Sequence, residues 1–454
     1  MAALTACALG APSAQAAASL SVGATGAEVA ALQRALIAQG YLAAGKDTGY
    51  FGPLTQAAIK KFQCERGIIC AGSAVGGYGV YGPRTQAALG GTVASGAKLE
   101  VSGWIPYWRA ATGTKEALEH IGIFTEVNPF GYSVKSDGTI ADTMRVHEEP
   151  WKSFIAAARA KKVRVIPTLM WSDGAAIHRI LSNQELRINL EDSIAALVMG
   201  EEYDGIEIDF EGKWAETSPY FSTFLKGLYQ RMGKKWVMCD IEPRTPLSSR
   251  YDGTPPPGAG EYANDYAAIA KYCDRVKIMA YDQGSIDVKL NATNAGPYVP
   301  VSDPQWVEKV VALTAQTIPK RKLVLGIPTY GYEYKVTPLS EDGYRYKLQW
   351  AFNPRYALEL AAELNLTPIR NSAGELNITY TKDLLPPPDF NPLDLPVAEA
   401  GGPSDGTFNI AWWSDAKAIA DKVALAKKLG LRGVAIFKID GGADPELWDA
   451  LSGK

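Results

Sequence analysis

Three acids stand at alternate positions in Tyr203-Asp204-Gly205-Ile206-Glu207-Ile208-Asp209-Phe210-Glu211. Side chains alternate faces along a strand, so Glu207, Asp209 and Glu211 point one way while Ile206, Ile208 and Phe210 point the other. Like charges this close raise one another's pKa, and burial adds to the shift. A carboxyl that keeps its proton near neutral pH can serve as a general acid. A solvated edge strand with a charged outer face would give the same pattern. The flanking chain, however, reads as parallel α/β, whose strands are covered on both sides. The acids are therefore read as a catalytic cluster at the C-terminal end of a barrel strand.

Other residues able to do chemistry gather at the ends of predicted strands: Tyr107 and Trp108, Trp171, Glu242, Met279-Ala280-Tyr281-Asp282, Tyr330 and Tyr332, Trp412 and Trp413, and Phe437. Aromatic rings stack on sugar faces and acids protonate glycosidic oxygens, so this mixture suits a carbohydrate cleft. Any single ring among them could equally be core. The three histidines, His120, His147 and His178, have no metal-ligand spacing, and neither metal nor cofactor is expected. A net charge of -3 argues against a nucleic-acid partner held by a basic field.

The elements that must position these residues alternate in type from Leu99 onward. Candidate strands are Val101–Tyr107, Ile123–Tyr132, Val163–Met170, Gly205–Phe210, Trp236–Ile241, Arg275–Ala280, Leu323–Pro328 and Gly433–Ile439. Amphipathic stretches separate most of them: Trp151–Lys162, Asn183–Met199, Tyr220–Met232, Tyr262–Tyr272, Asp303–Thr317 and Asp415–Leu429. Eight strands separated by helices imply an α/β fold, a (β/α)8 barrel over residues 99–454. A doubly wound sheet fits less well, because no Gly-rich phosphate loop follows the first strand. The connection between Tyr330 and Trp412 is too long for a loop. It contains a helical run, Pro354–Leu364, and strand-like pieces at Tyr344–Leu348 and Leu376–Tyr380, which predict a small α+β insertion over about 331–411. Pro386-Pro387-Pro388 marks an irregular return.

Before the barrel, residues 1–18 are Ala-rich and uncharged, with a small-residue cleavage pattern at Ala14-Gln15-Ala16, and are read as a signal peptide. Leu4-Thr5-Ala6-Cys7 also matches a lipobox, which would make Cys7 a lipid anchor. A secreted or cell-wall-associated monomer is expected, with no membrane span. In an exported chain Cys64 and Cys70, six apart, are expected to pair. Cys239 in a strand and Cys273 at the far end of the next helix are expected to be buried free thiols, with a pair as the alternative.

Residues 20–90 carry an internal echo: Tyr50-Phe51-Gly52-Pro53-Leu54-Thr55-Gln56-Ala57-Ala58 recurs as Tyr81-Gly82-Pro83-Arg84-Thr85-Gln86-Ala87-Ala88. Each copy is a Gly-Pro turn entering a helix, which predicts a small all-α unit of three helices. Residues 91–98 form a linker of small residues. The unit resembles the peptidoglycan-binding domain type 1 through Leu20-x-x-Gly23-x-x-Gly26-x-x-Val29-x-x-Leu32-Gln33, Gly40-Tyr41, Gly49-Tyr50-Phe51-Gly52, Thr55 and Phe62-Gln63. The resemblance implies docking on cell-wall glycan. A helical spacer with no ligand is the alternative.

The second part resembles glycoside hydrolase family 18. That family's D-G-x-D-x-D-x-E motif is matched by Asp204-Gly205-Ile206-Glu207-Ile208-Asp209-Phe210-Glu211, and its M-x-Y-D motif by Met279-Ala280-Tyr281-Asp282. Ala411-Trp412-Trp413-Ser414-Asp415-Ala416-Lys417 looks most like the branch acting on spore cortex and cell walls. The family works by substrate assistance. The resemblance makes Glu211 the general acid, Asp209 the residue orienting the 2-acetamido group, and Tyr281 a hydrogen-bonding partner of its carbonyl. Glu207, Asp282, Met279, Tyr107, Trp171, Tyr330, Trp413 and Phe437 become substrate-binding positions. Two departures stand out: Glu207 replaces the usual Asp, and Phe437 stands where the last strand usually offers Trp. The resemblance implies a β-N-acetylglucosaminidase acting on peptidoglycan. A chitinase, a non-catalytic chitin or cell-wall binding protein, and a wall peptidase or amidase are the competing readings.

Overall fold

The computed structural model describes residues 19–71, 77–82, 85, 88–89, 99–294, 296–339, 343–381 and 406–452. The expected leader with Cys7, the linker at 91–98 and the Pro386-Pro387-Pro388 return lie outside these residues. The chain divides into two compact units, Met1–Ala97 and Lys98–Lys454.

In the first unit, helices Ala27–Ala38 and Pro53–Glu65 pack through Val29, Leu32, Leu36, Ile59 and Phe62, with Phe51 between them. Pro53 opens the second helix, where its missing N–H costs nothing. The expected third helix falls largely outside the described residues. The sequence echo has a structural cause. Gln33 is buried, and its amide nitrogen donates to the Tyr50 carbonyl and the Thr55 hydroxyl while its oxygen accepts from Gly49 N–H. Buried Gln63 does the same with Val80, Thr85 and Gly79 at the same sequence offsets of 17, 22 and 16. Each glutamine thus satisfies the polar backbone of one Gly-Pro loop. Cys64 and Cys70 form a disulfide, with Cα atoms 4.6 Å apart.

The second unit is a closed parallel barrel. Its strands are Glu100–Pro106, Glu126–Val134, the two short segments Arg164–Val165 and Thr168–Trp171, Gly205–Phe210, Trp236–Ile241, Arg275–Ile278, Leu323–Pro328 and Gly433–Phe437. Neighbours pair in chain order, and the first strand closes the ring by pairing with both the eighth (Glu100↔Gly433) and the second (Trp104↔Asn128). Helices cover the outside. Helix Ser218–Met232 buries Phe221, Phe224, Leu225, Leu228 and Met232 at helical spacing, and Phe224 stacks on Phe210 of the fourth strand.

The barrel interior holds charges where apolar layers are usual. At the N-terminal end Glu100 takes Arg275 at 2.8 Å and Arg432 at 2.7 Å. Burial pushes the Glu100 carboxyl up, but these guanidiniums and Arg164 outweigh it and hold it at about 2. Arg164 also reaches Glu126 at 3.1 Å, and Arg164 and Arg275 sit over the Trp236 ring. In the middle layer Lys277 lies 3.1 Å from Glu126 and 2.6 Å from Glu207.

Cys239 and Cys273 are disulfide-bonded, with Cα atoms 5.9 Å apart, which corrects the expectation of free thiols. The helix ending at Tyr272 runs almost directly into the sixth strand, whose Val276 pairs with Cys239. Cys273 therefore lies beside the first half of the fifth strand, within reach of a residue in mid-strand.

The insertion is a five-stranded antiparallel sheet in the order Tyr344–Phe352, Gly331–Pro338, Phe408–Trp413, Leu376–Tyr380, Ile369–Arg370, with helix Pro354–Glu363 packed on it. Buried Glu375 ties it to the barrel by accepting from the N–H groups of Val301 and Ser302 and from the Trp412 indole.

Candidate active site

At the C-terminal end of the barrel a cavity of about 330 Å³ is lined by Trp104, Phe130, Asp209, Glu211, Asp240, Glu242, Pro243, Met279, Tyr281, Asp282 and Phe437. Asp209 is the fifth residue of the fourth strand, and Glu211 follows its end, held there by its N–H bond to the Trp171 carbonyl at 2.8 Å. Gly212 then takes a φ of 63°, a left-handed turn that suits glycine and lifts the chain away from the cavity.

The carboxyl groups of Asp209 and Glu211 are neighbours that act on each other electrostatically. Burial, then Glu211 and Glu207, push Asp209 well above the usual carboxylate range. Burial and Glu242 push Glu211 up as well, while Asp209 and the charge of Lys213 restrain it. Asp240, on the next strand, is raised by burial and then by Glu207 and Asp209. The site therefore stores protons at a pH where exposed acids have lost theirs.

Met279-Ala280-Tyr281-Asp282 lies just beyond the sixth strand, which ends at Ile278. The Ala280 carbonyl accepts from the Ser302 hydroxyl at 2.6 Å. Gly326 leaves room for Tyr281, since a Cβ there would stand 3.0 Å from the ring. Asp282 has a φ of 58°, uncommon for a side-chain-bearing residue. The hydroxyls of Tyr330 and Tyr332 both donate to its carboxylate, the latter at 2.7 Å. Phe437 stacks on Tyr281 with ring centres 5.9 Å apart and meets Trp104 edge-on.

Of the residues read from the sequence as able to do chemistry at strand ends, Asp209, Glu211, Glu242, Met279, Tyr281, Asp282 and Phe437 line the cavity. Glu207 does not. It lies fully buried beneath the floor, accepting from the Trp104 indole and the Thr168 hydroxyl, each at 2.6 Å. Its third place on the strand sets it one layer below Asp209. Tyr330 does not line the cavity either; its hydroxyl donates to Asp282, which does. Tyr107 sits in the turn after the first strand with its ring against Trp108. Trp171 is buried against Phe210, and Trp413 is wholly buried in the insertion core beside Phe352. These rings are packing, not cavity wall. Trp104, Phe130, Asp240 and Pro243 were missed. Asp240 left a readable sign: Asp240 and Glu242 alternate in an otherwise apolar strand, as the acids of the fourth strand do.

The model of glycosyl hydrolases family 18 matches residues 124–442. The chain belongs to this family. A peptidoglycan binding domain model matches residues 25–69. The family 18 chain is similar to the uncharacterized glycosylase YvbX of Bacillus subtilis, at 24% identity over 62% of this chain and 69% of the relative. It is also similar to the cortical fragment-lytic enzyme of Bacillus anthracis, at 24% identity over 71% of this chain and 66% of the relative. Among solved structures, the spore cortex-lytic enzyme SleL of Bacillus megaterium superposes with a TM-score of 0.57 at 22% identity, covering 78% of this chain and 73% of that one. A chitinase from Chromobacterium violaceum gives 0.59 at 17% identity, covering 78% and 98%. At these identities the superpositions speak for the shared barrel. The family match makes the chain a glycosidase with a carbohydrate substrate.

Proposed function

We propose that this glycosidase cleaves the β-1,4 bond after N-acetylglucosamine in peptidoglycan, outside the cytoplasm, by a substrate-assisted retaining mechanism. The observation that carries the reading is the pair of neighbouring carboxyls, Asp209 and Glu211, both pushed towards protonation, at the wall of a cavity that Tyr281 also lines. Glu211 protonates the departing glycosidic oxygen. The 2-acetamido carbonyl of the sugar attacks its own anomeric carbon from the opposite face, with Asp209 accepting from the acetamide N–H and Tyr281 donating to the carbonyl oxygen. Glu211, now a carboxylate, takes a proton from the water that opens the cyclic intermediate, and configuration is retained. Trp104, Phe130 and Phe437 supply apolar surface for sugar faces.

The N-terminal module and the similarity to cortical fragment-lytic enzyme favour peptidoglycan. Chitin is the second reading, favoured by the likeness to the Chromobacterium chitinase over nearly all of that protein. Two disulfides support an oxidising compartment. Incubation with purified peptidoglycan and with chitin, followed by mass spectrometry of the new reducing ends, tests the reading. N-acetylglucosamine ends from peptidoglycan are expected. N-acetylmuramic acid ends, or products from chitin alone, would overturn it.

A further inference from the structure

Glu242 lines the cavity, yet the proposed mechanism gives it no task. It directly follows the fifth strand, and its side chain is 42% exposed, whereas Asp209 and Asp240 are buried. Two groups fix its carboxylate. The Asn264 amide donates to one oxygen, and the Lys213 ammonium lies 3.6 Å from the other. Lys213 is itself buried, sits over the Phe221 ring and does not line the cavity. Arg244 is likewise engaged elsewhere: its guanidinium lies 3.9 Å from the Tyr262 ring centre and 4.2 Å from that of Tyr266, and it donates to the Asn264 carbonyl. Asn264 thus holds the acid with its side chain and the base with its backbone. The described residues lining the cavity include Asp209, Glu211, Asp240, Glu242 and Asp282 and no Lys, Arg or His. We propose that Glu242 determines specificity at the leaving sugar: it selects muramic acid whose lactyl carboxyl is closed as an amide, as where a stem peptide is attached, over muramic acid whose lactyl carboxylate is free.

The inference rests on cleavage after N-acetylglucosamine in peptidoglycan. The oxygen that Glu211 then protonates is the 4-oxygen of the muramic acid, and the neighbouring carbon of that sugar bears the lactyl ether. The lactyl group therefore departs beside Glu211. Of the charges acting on Glu211, that of Glu242 is the strongest, so the two carboxyls share this side of the cavity. A free lactyl carboxylate placed here meets acids, with no cation in the wall to receive it. Repulsion between like charges brought out of water counts against its binding. An amide at the same position carries no charge, and its N–H is a donor that a Glu242 oxygen can accept. The two nearby cations do not reverse the selection, because Lys213 lies behind Glu242 and Arg244 is held by Asn264 and the two tyrosines.

The test measures kcat/KM on soluble chains of alternating N-acetylglucosamine and N-acetylmuramic acid in two forms, one with free lactyl carboxylates and one with these converted to methylamides. The wild type is expected to cut the methylamide form roughly tenfold faster, and Glu242→Gln to narrow that ratio to about threefold or less. Any change that Glu242→Gln makes to Glu211 as an acid applies to both forms and cancels in the ratio. Where the single variant, which strands buried Lys213, does not fold, Glu242→Gln combined with Lys213→Met is read in its place. The same narrowing is expected of it, because Glu242 faces the cavity and Lys213 lies behind. Equal rates on the two forms, faster cleavage of the free carboxylate, or a ratio that the variant leaves unchanged overturns the proposal. Tetra-N-acetylchitotetraose separates this failure from that of the proposed function. Its cleavage with neither muramic acid form cut would overturn the peptidoglycan reading itself, and this proposal with it.

Discussion

Glu211 and Asp209 show how a site residue trades stability for function. A carboxyl whose folded pKa lies above its unfolded value is stabilised by protonation, so its contribution to folding is full below the ordinary carboxylate value and is lost as pH rises from there through the raised folded value. Glu211, Asp209 and Asp240 all have this sign. Glu211→Gln is therefore expected to lower turnover by roughly a thousandfold or more while glycan binding is kept. The same variant should melt a few degrees higher at neutral pH, because the amide needs no proton. Turnover assays, binding to insoluble glycan and thermal melts check the three parts. The shared face of Glu211 and Asp209 was legible because alternation along a strand is a local property. The place of Glu207 was not, because the face a side chain points to says nothing of its depth. Only the layering of the barrel sets it one storey below the cavity.

At the scale of elements, the parallel strands were readable from apolar runs between amphipathic helices, and the insertion from a connection too long to be a loop. What escaped was whatever depends on the register between neighbours. Cys239 and Cys273 lie 34 residues apart, and their meeting follows from a helix that ends almost where the next strand begins. Replacing both by Ser is expected to cost about 2–4 kcal/mol of stability, as for other loops of moderate length. Activity at 25 °C should persist, because the bond joins the fifth strand and the helix after it without touching the cavity. Denaturant melts of the oxidised and Ser-substituted proteins, with parallel activity assays, measure both effects. Trp171 and Trp413 failed as cleft residues for a related reason. A Trp at a strand end looks the same in sequence whether it faces the mouth of a barrel or the core of an added sheet. The hydroxyl that the insertion does supply, from Tyr332, reaches Asp282 rather than the cavity.

For the whole molecule, the charged column through the barrel couples fold and pH in the sense opposite to the active site. Glu100 is held at about 2 in the fold against an ordinary value of 4.5. Its contribution is therefore complete above the unfolded value and is lost as pH falls from there through about 2. The loss is on the order of 3 kcal/mol. Urea melts over that pH range should show the decline, and Glu100→Gln should flatten it while lowering stability at pH 7, where Arg275 and Arg432 lose their partner. No such column was foreseen from the sequence, since Glu100, Glu126, Arg164 and Arg275 each stand at the start of a separate strand. The twin glutamines of the first unit bear on descent. Gln33 and Gln63 reach a glycine N–H, a carbonyl and a threonine hydroxyl at identical offsets, so the unit is two copies of one helix-and-loop piece joined in tandem. Such arrays lengthen by copying and wear unevenly, since each copy is clamped by its own helix and can drift without unfastening its twin.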